Sequence, residues 1–205
     1  MLISYDAAQE QLTEMFDPLW EIVDGAWDDW QTETSPKAKA ILTTRSRASN
    51  MHDYMVWRAR RFCETRDNVE VRVQRLMCVL VINTDTSAFA IRFKKLDEDG
   101  LSRNQPTKQV QTFRRQNSLH GIPEAHHLEV GYILSRDQSK INAIEMVCPS
   151  GEKANAWRCE ITPLSGEQDG SVVVFTPPNP NGPRNVIVRR KDDAGELFND
   201  GTNSN

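Results

Sequence analysis

His120, His126, His127, Cys148 and Cys159 are the side chains of this sequence best suited by type to hold a metal ion. Zinc needs ligands that converge, usually from short and regular spacings. Adjacent His126 and His127 in an extended segment would point to opposite faces, and the cysteines follow at intervals that match no compact ligand set. No metal and no cofactor is therefore expected. The sequence also lacks a glycine-rich phosphate loop, a nucleophile elbow, His-Glu-x-x-His and Cys-x-x-Cys. The expectation is a protein with no catalytic residues. Cys63, Cys78, Cys148 and Cys159 are spread without close pairing, which reads as free thiols in a reducing, cytoplasmic setting.

Charge is the more informative chemistry. The first 36 residues carry nine acids and no Lys or Arg, whereas residues 37–115 carry 17 bases against eight acids. The net charge of −4 hides this segregation, which points to an acidic arm and a basic surface made to recognise something, or each other. In the acidic part Trp20, Trp27 and Trp30 stand beside Glu21, Asp24 and Asp28, the composition of an arm that docks through aromatic anchors while its acids steer encounter. In the basic part Arg92, Lys94, Lys95, Arg103, Lys108, Arg114 and Arg115 form a row expected to face outward and to bind phosphates or an acidic protein surface.

The elements that must carry these residues follow from periodicity. Apolar side chains recur at steps of three and four over residues 4–31, with a break or kink at Pro18. Ser35-Pro36 starts a second helical stretch running to about residue 65, broken near residues 49–50 if it breaks at all; Trp57 lies off its buried stripe. Period two takes over in residues 69–73, 76–83 and 89–96, and again in 127–134, 140–148 and 156–162, with a short helix over 106–116 between the two sets. Short connections favour antiparallel pairing. The expected fold is α+β: a mainly antiparallel curved sheet of three strands, a helix and three strands, backed by helices. The division is an acidic helical arm at 1–34, the α+β domain at 35–163, and a Pro/Gly-rich tail at 164–205 with a loose hairpin and a disordered end. No apolar run is long enough for a membrane span, so no membrane association is expected.

A helix, three strands and another helix resemble the core of restriction-endonuclease-like enzymes, which need a Glu-x-Lys on the relevant strand. Arg92-Phe93-Lys94 stands there instead, so such a fold would be catalytically dead. A second resemblance runs through Ser49-Asn50-Met51-His52-Asp53-Tyr54-Met55, Ile91-Arg92-Phe93-Lys94-Lys95-Leu96, Arg103-Asn104-Gln105-Pro106-Thr107-Lys108-Gln109, Gly121-Ile122-Pro123, Leu128-Glu129-Val130-Gly131-Tyr132, Val147-Cys148-Pro149 and Trp157. Over roughly residues 45–163 the chain is similar to short bacterial proteins encoded beside toxins that join an Xre-type helix-turn-helix to a zinc-metallopeptidase-like domain. That resemblance implies an antitoxin that neutralises its cognate toxin by direct binding and assigns no catalytic role to any residue. A nucleic-acid-binding module using the basic row is the alternative.

Overall fold

The computed structural model describes residues 2–74, 77–102, 107–122 and 124–163, so the expected tail and Arg103 lie outside the described residues. Ser4 caps α1 (Tyr5–Leu12), accepting a hydrogen bond from the Ala7 amide. A single 3-10 turn (Thr13–Met15) then leads into α2 (Phe16–Glu33). The break therefore precedes Pro18, which sits in the first turn of α2, where no amide donor is required of it. Ser35 caps the short α3 (Pro36–Ile41), and Thr43 caps α4 (Thr44–Cys63). The second helical stretch thus breaks at residues 42–43, earlier than its sequence suggests, because Thr43 offers its hydroxyl to the Ser46 amide.

Strands β1 (Val69–Gln74), β2 (Met77–Asn83) and β3 (Ala88–Lys95) form one antiparallel meander; β4 (His126–Leu134), β5 (Ile141–Gly151) and β6 (Ala154–Glu160) form another. They join in a single six-stranded mixed sheet in sequence order, because α5 (Lys108–Arg114) lies in the crossover that makes β3 and β4 parallel. That parallel seam is what short-connection reasoning left out. On one face lie α1, α2 and α4, with α4 against β1 and β3 and α2 against β4 and β5. Leu12, Leu19, Val23, Met51, Met55, Leu80, Ile91, Leu128 and Tyr132 fill the core between the layers. On the other face Phe113 of α5, with Leu119 and Ile122, covers Val79, Val81 and Ala90 in a smaller cluster.

Both faces of the central strands are therefore covered, and alternation no longer means inside and outside. Gly131 shows how tightly the seam is packed: a Cβ there would run into the Lys94 carbonyl oxygen and approach Leu96 Cγ at 2.8 Å. Gly131→Ala is accordingly expected to destabilise the protein by about 1–3 kcal/mol in urea unfolding, and a neutral result would contradict this packing.

The acidic N-terminal segment is a layer of the domain and not a detached arm. Trp27 and Trp30 are buried, with ring centroids 5.1 Å apart, and are withdrawn from any partner; Trp20 is half-buried against the same core. Their burial corrects the expectation that these rings serve as docking anchors, since the apolar stripe of α2 is what covers the sheet. Two of the acids find partners on α4: Asp29 takes a bidentate pair of hydrogen bonds from Arg58, at 2.6 and 2.8 Å, and Glu33 accepts one from the Tyr54 hydroxyl at 3.0 Å. Gly25 leaves room for the Arg58 guanidinium to lie across α2. Asp24 is half-buried beside Arg58, while Glu21 and Asp28 are exposed. Part of the charge segregation is thus met within the chain, where Asp29 of α2 pairs with Arg58 of α4.

Candidate functional site

Glu129 stands in the middle of β4 with no solvent exposure, and a buried carboxylate needs partners. The parallel register places Arg92 beside it. Arg92 Nη1 donates to Glu129 at 3.4 Å, Arg114 Nη1 of α5 donates to its other oxygen, and the Ser102 hydroxyl donates to that same oxygen at 3.2 Å. Arg114 is fixed further by the Gly151 carbonyl (2.9 Å), the Ala154 carbonyl (3.3 Å) and Asn155 Oδ1 (3.0 Å), so one side chain ties α5 to the β5–β6 turn. Arg92 lies 5.0 Å over the Phe113 ring, and that ring stacks on His127 at 4.4 Å. Burial lowers the His127 pKa, and its Nδ1 pairs with the Phe113 carbonyl oxygen at 2.9 Å.

The sequence-derived basic row is therefore split. Arg92 and Arg114 are buried and carry the sheet's internal charge cluster, which corrects their outward placement; the reason is the second layer formed by α5 and the loop after β3. Lys94 and Lys95 are half-buried, on opposite faces of the strand end. Lys108 and Arg115 are exposed, and Arg115 pairs with Glu152 at 3.0 Å. The expected row is not a continuous surface.

What the fold opens instead is a groove of about 1250 Å³ at the carboxyl ends of β3 and β4. Parallel neighbours leave the sheet at the same end, and here their two chains turn apart against the first half of α4, leaving a crevice. Ser49, His52 and Asp53 of α4 line one side; Lys94 and Asp97–Asp99 line another, with Ser135 and Arg136 after β4 closing it. The loop after β3 is held by its own turn, the Asp97 carboxylate accepting from the amides of Asp99 (3.1 Å) and Leu101 (2.9 Å). It is anchored to β6 by Arg158 donating to the Glu98 carbonyl at 2.7 Å and Asn155 donating to the Gly100 carbonyl at 2.9 Å.

The groove carries both signs, Arg45, Lys94, Lys95 and Arg136 sharing it with Asp53, Asp97, Glu98 and Asp99. Burial and then the neighbouring Arg92 lower the Lys94 ammonium to about 8. Burial and then Lys94 lower the His52 pKa against the weaker pull of Asp53, 3.7 Å away. Among the described residues no group of three or more His, Cys, Asp or Glu could hold a metal ion, and no helix is long and apolar enough to cross a membrane.

Arg45, Ser49, Asp53, Trp57 and Arg61 of α4 are exposed at four-residue steps and make one row that winds along the helix, its first three members lining the groove and Trp57 and Arg61 lying beyond it. Trp57 is 51% exposed, and the Arg61 guanidinium lies 5.3 Å over its ring. Sequence reasoning singled out Trp57 as off the buried stripe but passed over His52 and Glu129 as site residues. The four-residue spacing was a signal for the row, and a lone acid inside the apolar run 128–134 was one for Glu129. Comparison with protein-family models, curated proteins and solved structures finds no match to this chain.

Proposed function

We propose that this chain is a non-enzymatic interaction protein that holds a cognate protein against the outer face of α4, acting as an antitoxin-like regulatory partner of the kind its sequence resemblance implies. The observation that carries the reading is Trp57: a large aromatic ring half in solvent, braced by Arg61, on a helix whose Met51, Met55 and Ala59 are buried. Trp and Arg dominate the energetic centres of protein interfaces. Exposed Val73 on β1, which packs beside α4, adds apolar surface to that side.

The charge pattern favours protein over nucleic acid. Asp53 interrupts the basic row of α4, and Asp97, Glu98 and Asp99 stand on the groove. A run of phosphates would meet repulsion at each acid, whereas a polypeptide can present both signs. The burial of Arg92 and Arg114 also withdraws two cations from the nucleic-acid alternative.

The test is titration calorimetry of the full chain against the purified product of the gene beside its own, with duplex DNA as a parallel titrant. Trp57→Ala should leave stability within about 0.5 kcal/mol, because the ring is half exposed. The same change should weaken partner binding by roughly 2 kcal/mol or more. A partner bound equally well by Trp57→Ala and Arg61→Ala, or steeply salt-dependent binding to DNA alone, would overturn the proposal.

A further inference from the structure

The cations gathered around Glu129 outnumber its charge. Arg92 and Arg114 are both buried on that one carboxylate, and Lys94 follows Arg92 on the same face of β3 without a hydrogen bond or ion pair among the described residues. Arg92 Nε is itself buried and has no hydrogen-bond partner. Buried charge without a counter-charge is expensive, and a donor left unmet adds to that cost.

The backbone leaves this excess within reach of solvent. The β2–β3 ladder runs from Asn83↔Ala88 only to Leu80↔Ile91, whereas the β3–β4 ladder continues to Lys95↔Tyr132. From Arg92 onward β3 is therefore paired on the β4 side alone, and the strand end bearing Lys94 opens into the groove opposite His52 and Ser49. The charged and titratable groups that act on Lys94 most directly are Arg92 on its own strand, Glu129 on β4, Cys78 on β2 and His52 on α4, while Arg45 and Asp53 of α4, Lys95, Asp97, Glu98 and Asp99 at and after the end of β3, and Arg136 after β4 share the groove walls. Of the carboxylates, Glu129 is already taken by two guanidinium groups, Asp97 accepts from the amides of its own turn, and Asp53 lies 3.7 Å from His52.

We propose that the inner end of this groove is a binding site for a small oxyanion, with Lys94 as the principal charge, Arg92 behind it, and His52 and Ser49 as hydrogen-bonding groups on the opposite wall. The bound group would be a phosphate-like or carboxylate head, and it would supply the negative charge that the cluster lacks. This site shares Ser49 with the exposed row of α4 but uses neither Trp57 nor Arg61, and it stands whether or not those two side chains dock a protein. The lowered pKa values of Lys94 and His52 agree with it, since both groups lie in a field that an anion would relieve.

The experiment is a chemical-shift titration of the full-length, isotope-labelled chain with sodium sulfate at constant ionic strength, repeated with inorganic phosphate and with acetate to distinguish the two kinds of head. Saturable shifts should centre on Lys94, His52 and Ser49, and sulfate should raise the His52 pKa. Lys94→Met should weaken sulfate binding about tenfold or more, as loss of a charge-assisted contact does. Sulfate keeps its charge between about pH 7 and about pH 10, so its affinity should fall with rising pH as Lys94 deprotonates. His52→Gln, at a half-buried helix position, is the second variant should Lys94→Met fail to fold, and it should weaken binding while sparing the fold. Shifts that never saturate, affinity flat across that pH range, or unchanged binding in both variants would overturn the site.

Discussion

Replacing Glu129 with Gln should destabilise the protein by about 3–5 kcal/mol, the usual consequence of removing one partner from a buried ion pair. Glu129 accepts from Arg92, Arg114 and Ser102, and without its charge two buried guanidinium groups face each other uncompensated. The damage should spread, because Arg114 also holds the carbonyls of Gly151 and Ala154 and thereby the β5–β6 turn. Urea unfolding should show a lower midpoint with an unchanged slope. Replacing Arg92, Glu129 and Arg114 together with apolar residues of similar volume should recover most of the loss, since an apolar set leaves no orphaned charge. A Glu129→Gln protein within 1 kcal/mol of the parent would show that the cluster is better solvated than its burial implies.

Deleting residues 1–34 should leave a remainder that fails to fold and aggregates. Leu12, Leu19, Ile22, Val23, Ala26, Trp27 and Trp30 are all buried, and removing them bares the helix-side face of the sheet. Trp30→Ala alone should cost about 3–5 kcal/mol, the range for truncating a large buried aromatic side chain. Circular dichroism and thermal unfolding of the truncated and substituted chains are the direct measurements. A soluble remainder with a cooperative transition would restore the reading of the segment as a docking arm.

The strands and most of the helices were legible because each has one dominant period. Leu19, Val23, Trp27 and Trp30 mark α2, and Val79, Val81, Phe89 and Ile91 mark β2 and β3. The alternation in β3 places Arg92 outward, which is sound for a sheet with one wet face. It fails because α5 lies across the second face, and that depends on the crossover between β3 and β4, a tertiary fact that no local pattern encodes. The acidic segment is illegible for a related reason: charge composition tells which side chains want water or a counter-charge, and not that Asp29 finds Arg58 within the same chain. The groove could not be read at all, since its walls come from α4 and two loops distant in sequence.

The packing of α2 on β4 and β5, and the hydrogen bond from the Trp157 indole to the Ile3 carbonyl at 2.9 Å, mean that the first helices are completed by the last strands. During synthesis from the N-terminus, α1 and α2 leave the ribosome long before the surface that buries them exists. For that interval the nascent chain displays Trp20, Trp27 and Trp30 with no core to receive them. A segment holding nine acids and no Lys or Arg repels its own copies on neighbouring nascent chains, and acids are the charges that best preserve solubility. The one-signed charge of this segment would therefore act in the unfinished chain, disfavouring contact between bare apolar helices until the strands that bury them are made.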